Sequence, residues 1–249
     1  WSSIPDNELL TLASQNKLRD PKTLDAQVKR MLADPKSQAF VKNFFGQWLQ
    51  IRGLHGMSPE PKLFPDFDDN LRNAFETEAE MFTSAIVHED RSLTDLLNAD
   101  YTFLNERVAK HYGIPGVYGS RFRKVTVPDH NQRGGLLAHG SLLVTTSYPD
   151  RTSPVLRGKW LLNNIFGTPP PAPPPGVNAT LETKPGTLPT SMRERLAQHR
   201  TSPSCNSCHV VIDPLGFALE NFDVIGGWRT QDEAGKPIDA AGQTAGGTK

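Results

Sequence analysis

Cys205-Asn206-Ser207-Cys208-His209 is the stretch from which the rest of the chain is read. It holds both cysteines of a 249-residue chain, three positions apart and followed directly by histidine. This spacing is the attachment signature of a c-type haem. Each thiol can add to one vinyl group of the porphyrin, forming a thioether. On a helical turn the adjoining histidine then turns its imidazole to the iron, for which histidine is a standard axial ligand. The expected cofactor is therefore one covalent haem c, held by Cys205, Cys208 and His209. A thioredoxin-like redox pair would want a strand before the motif, whereas Thr201-Ser202-Pro203-Ser204 reads as a turn. A structural zinc site wants four ligands at short spacing, yet no histidine follows His209 and the nearest upstream is His199. A disulfide within the motif would close a very small loop.

Composition narrows the surroundings. There are 27 basic and 27 acidic residues, giving a formal net charge of zero. No basic patch with interleaved aromatics points to nucleic acid. No apolar run approaches the roughly 18 residues of a transmembrane helix. Haem attachment of this kind takes place outside the cytoplasm, so the expected location is periplasmic or extracellular. The chain begins at Trp1 without a signal peptide, as expected of a processed product or a fragment.

Outward from the motif the pattern is mostly α. Asp20-Pro21, Asp34-Pro35 and Ser153-Pro154 each pair a capping residue with proline at the first helical position. Phe40, Val41, Phe44, Phe45, Trp48 and Leu49 form a broad apolar face, expected to be core. Leu71, Phe75, Phe82 and Ile86 recur at helical spacing and predict a long helix from Asp68 to Val87. Short helices are expected around Leu93–Leu97 and over Asn105–Tyr112, the latter stopped by Gly113. Arg121 to Val127 alternates apolar and charged residues, as a short strand does. Leu136 to Val144 reads as a helix, and so does Ser191 to Arg200, with Met192, Leu196 and His199 on one stripe. Asp213-Pro214 reads as the N-cap and start of a further helix. Two helical sections are expected, 1–130 and 131–249. The second carries a proline-rich connector over 168–190 and the haem motif over 205–209 in a cytochrome c-like C-terminal section.

Trp1 to Asp6, Arg30-Met31-Leu32, Gln47-Trp48-Leu49, Ala99 to Asn105, Arg133 to Leu137, Thr152 to Trp160 and Cys205 to Asp223 together carry a family likeness. In these stretches the chain resembles planctomycete-type cytochrome c proteins built from several domains of unknown function. The resemblance spans nearly the whole chain. It implies an exported haem protein and carries Cys205, Cys208 and His209 over as haem residues. It implies further modules upstream and a last domain that runs on beyond Lys249. It supplies no enzyme activity.

No methionine follows His209, so a second axial ligand has to come from upstream or from another chain, or be absent. His199 leads, because only Arg200 to Ser204 separate it from Cys205, and five residues at about 3.5 Å each can reach round a haem edge. Its ordinary alternative is a histidine favoured by the C-terminal dipole of its helix. Met192, Met57 and His139 follow as candidates; His55, His88, His111 and His130 read as surface residues. Arg157, Trp160, Trp228 and Arg229 could donate to haem propionates or serve in ordinary packing. The expected function is a monohaem electron-transfer module working with a redox partner protein or within a larger redox or surface assembly. The alternative is a haem enzyme, a peroxidase or oxygenase, with an open distal site.

Overall fold

A computed structural model describes residues 1–129, 132–172, 191–233 and 235–242. His130, the connector beyond residue 172 and the tail beyond 242 lie outside them. The described chain is mostly α. It opens with α1 (Asn7–Ser14) and α2 (Pro21–Ala33), whose first turns are closed by the carboxylates of Asp6 and Asp20 accepting from the Leu9 and Thr23 amides. Such caps satisfy amides that have no intrahelical partner. Asp34 caps a 3₁₀ turn, Pro35–Ser37, and the chain continues through α3 (Gln38–Phe40), a π-turn (Val41–Phe45) and α4 (Gly46–Trp48). The π-turn changes the fate of the aromatic face. An extra residue in the turn rotates the pattern, so Val41, Phe45 and Leu49 are buried while Phe40 and Phe44 stay 40% and 48% exposed. The expectation of a wholly buried aromatic face therefore holds for only part of it.

The long helix is present as α5 (Asp69–His88), capped by Asp68. Its Leu71, Ala74, Phe75, Ala79, Phe82 and Ile86 line one buried stripe, each large side chain contributing roughly 1.5–3 kcal/mol on burial. After α6 (Asp95–Asn98) comes a strand absent from the sequence reading, β1 (Tyr101–Leu104). It pairs antiparallel with β2 (Arg123–Thr126), Tyr101 opposite Thr126. Between them α7 (Glu106–Tyr112) starts at an Asn105 cap and stops at Gly113, whose φ of 70° is the left-handed conformation glycine adopts freely. The stretch expected as one helix from Leu136 divides at His139 into a 3₁₀ turn (Leu136–Ala138) and α8 (Gly140–Thr145).

The C-terminal part holds α9 (Pro154–Asn164), α10 (Met192–His199) and α11 (Pro203–Phe217). One apolar cluster draws together Phe45, Phe82, Leu136, Leu142, Trp160, Leu219 and Phe222, so residues from both ends of the chain share it. Asp213-Pro214 does not begin a helix, contrary to expectation: α11 runs straight through Pro214. Proline there removes one hydrogen bond to the carbonyl four residues back. That residue, Val210, is 50% exposed, so water can take the bond's place.

Candidate functional site

The motif occupies the first half of α11. Ser202 closes the preceding turn and Pro203 stands at the first helical position, where its missing amide costs nothing. Cys205 and Cys208 follow on adjoining turns as free thiols, each half-buried. The second half of the helix is fixed to α9. A Cβ on Gly158 would come within 2.9 Å of the Ile212 carbonyl carbon and closer still to its oxygen. One on Gly216 would lie 2.5 Å from the Pro154 carbonyl carbon. The two helices therefore touch backbone to backbone, and glycine is what allows it.

Arg157 secures the chain just after α11. It is wholly buried. Its Nη1 donates to the carbonyls of Leu219 (2.6 Å) and Phe222 (2.8 Å), and its Nη2 to that of Asp223 (2.9 Å). Glu220 lies 3.4 Å away as counter-ion. Burial lowers the guanidinium to about 10, which leaves it charged at neutral pH. Glu220 in turn accepts from Thr152 Oγ1 (2.9 Å) and sits 3.3 Å from Arg229 Nη2. Trp160 is buried and donates to the Leu49 carbonyl. Arg157, Trp160 and Arg229 are thus occupied within the fold, which favours the packing alternative over propionate binding. Trp228 remains 40% exposed, edge-on to Phe222 at 5.2 Å.

His209 is positioned by its own helix. Its Nδ1 lies 2.8 Å from Oδ1 of Asp213, one turn on, and Asp213 is wholly buried. A carboxylate only accepts, so Nδ1–H is the donor of this bond, which leaves Nε2 outside the pair. This is the orientation in which a carboxylate behind the ring holds a metal-binding histidine. The other oxygen, Asp213 Oδ2, has no hydrogen-bond partner among the described residues but lies 3.7 Å from Arg200 Nε, at ion-pair rather than hydrogen-bond distance.

His199, at the end of α10, meets His209 edge to face, ring centroids 4.8 Å apart and planes at 72°. Burial lowers its basicity, the adjacent imidazole lowers it further and Asp213 partly offsets both. The rings touch, so a porphyrin between them would require them to separate. The other candidate ligands are placed elsewhere. Met192 packs with Leu196 and Phe217 in a small apolar cluster. Met57 packs against the apolar cluster of Leu54, Leu71 and Phe75. His139 is 2% exposed in the core, its ring 4.8 Å from Phe82, with Nε2 3.2 Å from Thr102 Oγ1. His55 and His88 are on the surface as expected. His111 is not: its Nε2 donates to the Ile225 carbonyl at 2.7 Å and its ring lies against Phe75.

The donor set suits a haem of the c type. Two accessible thiols one turn apart and an imidazole with a free Nε2 are what covalent attachment and axial ligation need. Among the described residues no group of three or more His, Cys, Asp or Glu side chains converges as an ion cage, which is the arrangement the zinc reading required.

The sequence reading took Asp213 for a helix cap and missed its pairing with His209. The signal was the spacing of four residues, which on a continuous helix stacks the two side chains; the assumed helix break at Pro214 hid it. No curated protein and no solved structure matches the chain. Residues 1–114 match the family model described as PSD4, a protein of unknown function (DUF1592), and residues 133–232 that described as PSCyt3, a protein of unknown function (DUF1588). The chain is thus similar, over most of its length, to two families of the planctomycete cytochrome c-type multidomain proteins, in agreement with the likeness of its signature stretches.

Proposed function

We propose that the chain is an exported c-type cytochrome module that carries one covalent haem on Cys205 and Cys208, with His209 as an axial ligand, and passes single electrons to a partner protein. One observation carries the reading: two free, half-exposed thiols stand one turn apart beside an imidazole whose Nδ1 is held by Asp213. The haem would supply a one-electron ferric–ferrous couple. The chain supplies the anchoring thiols, the orientation of His209 and, through the close approach of Gly158 to Ile212 and of Gly216 to Pro154, a fixed position for the helix that bears them. The names of the matching families support a cytochrome-like role, and no helix among the described residues is long and apolar enough to cross a membrane. His199 is proposed as the second axial ligand. The two sections, 1–130 and 131–249, are proposed as separate sequence modules that share a core.

A second reading, a haem enzyme with an open distal face, is favoured by the direct contact of His199 with His209, which leaves no slot already formed between them. Expression with a c-type haem maturation system tests the first step. Haem should stay bound through denaturation and acid–acetone extraction, and the pyridine haemochrome should have the spectrum of two saturated vinyl groups. Cys205→Ala with Cys208→Ala should abolish retention. Extractable haem in the wild-type protein would refute the proposal.

A further inference from the structure

We infer that Asp213 is the positioning residue that sets the donor strength of His209, with Arg200 as its counter-ion; the inference rests on His209 being an iron ligand. Three features meet at this carboxylate. It is wholly buried, one oxygen is 2.8 Å from His209 Nδ1, and the other has no hydrogen bond among the described residues. A buried carboxylate is costly unless it is paired, and the partners here are His209 and Arg200. Among the described residues the cation that reaches Oδ2 is Arg200, 3.7 Å away, immediately after His199.

The chemistry follows from the direction of the hydrogen bond. A backbone carbonyl accepting from Nδ1–H would orient the ring without lending it charge. A carboxylate does both, fixing the tautomer and raising the basicity of Nε2. A more basic imidazole favours the ferric over the ferrous state, so the potential falls. Arg200 draws charge from the distant oxygen and moderates the effect. Because Arg200 ends the helix that carries His199, the same carboxylate also ties the two histidine-bearing segments together. The site is thereby suited to a low-potential electron donor.

Two measurements test this on the full-length chain. The first needs no haem: nitrogen-15 chemical shifts of His209 in the haem-free protein should show the Nδ1–H tautomer alone. In Asp213→Asn, whose amide can turn either an acceptor or a donor towards the ring, a mixture with Nε2–H should appear. An Nε2–H tautomer in the wild-type protein would overturn the inference, whether or not haem attaches. The second is a reductive titration of the haem-loaded protein, one electron per iron supplied by dithionite. Asp213→Asn should raise the midpoint potential, on the scale of about 59 mV for each tenfold change in the ferric–ferrous equilibrium. Arg200→Gln should lower it, and should do so less in the Asp213→Asn background. Covalent haem in every variant with an unchanged potential would overturn the role of Asp213 and leave the cytochrome reading standing. Failure of the wild-type chain to take haem would overturn the cytochrome reading, while the tautomer still reports on the grip of Asp213.

Discussion

Replacing Gly158 with alanine asks whether the contact of α9 with α11 holds the motif in place. Two effects oppose each other. Alanine in a helix interior is favoured over glycine by about 1 kcal/mol, so on an open surface the change would stabilise. Here the new methyl would stand 2.9 Å from the Ile212 carbonyl carbon and nearer its oxygen, where ordinary contact begins at 3.4 Å. The obstacle is backbone and cannot swing aside, so the helices must part. Overpacking of this kind costs about 1–3 kcal/mol, and a rigid obstacle puts the cost at the upper end. The net expectation is destabilisation by about 2 kcal/mol, or a melting temperature lower by about 4–8 °C for a chain of this size. Gly46→Ala is the control. Its methyl would meet only the Arg52 side chain, at 3.5 Å, so propensity alone acts and stability should rise by up to about 1 kcal/mol. Urea denaturation of both variants measures the difference. If Gly158→Ala is as stable as the wild-type protein, the helices are not in backbone contact and the reasoning fails.

Three further outcomes are expected. Arg157→Met should cost about 3–5 kcal/mol in urea unfolding, because three carbonyls and Glu220 lose the cation buried among them; a loss below about 1 kcal/mol would show that the arginine is not their support. Burial raises the Glu78 carboxyl from 4.5 to about 7, so the folded protein keeps a proton that the unfolded chain releases. The contribution of Glu78 to stability should therefore fall as pH rises from about 4.5 to about 7 and level off above, by about 3 kcal/mol at 1.36 kcal/mol per unit. Buried His139, whose pKa is lowered to about 3, adds an opposite slope, so the Glu78 slope is read as the difference between wild type and Glu78→Gln. Glu78→Gln should lack that slope, and identical pH profiles for the two proteins would contradict the assignment. His199→Ala in haem-loaded protein should turn a low-spin ferric spectrum high-spin and open the iron to cyanide, whereas an unchanged low-spin spectrum would move the second ligand elsewhere.

Much of the helical fold is legible because its signals are local. Asp20, Asp68, Asn105 and Ser153 stand where their side chains cap the following amides, and the stripe of α5 has the period of its helix. β1 escaped because Tyr101-Thr102-Phe103-Leu104 is buried along its whole length and shows no alternation of polar and apolar residues. The π-turn at Val41–Phe45 left no local mark either, since an added residue alters only the phase of the pattern. At the candidate site, the motif of Cys205, Cys208 and His209 is read from spacing, and the structure places all three on α11. The contact of Asp213 with His209 was hidden, because Asp-Pro is a stronger helix-start signal than a histidine–aspartate pair four apart. The buried group of Glu78, Tyr112, Thr102 and His139 was also out of reach. It joins α5, α7, β1 and the turn before α8, and long-range pairing has no periodicity to betray it.

The contact at Gly158 and Gly216 divides α11 unequally. Ile212, Asp213, Gly216 and Phe217 are buried, whereas Pro203, Ser204, Asn206 and Ser207 lie open. Amide exchange should therefore be fast at the cysteine end and slow at the docked end, since opening costs least where few apolar contacts must break. Were haem attached as proposed, the thiols could be reached without prying the helix from its partner, which would separate loading from folding.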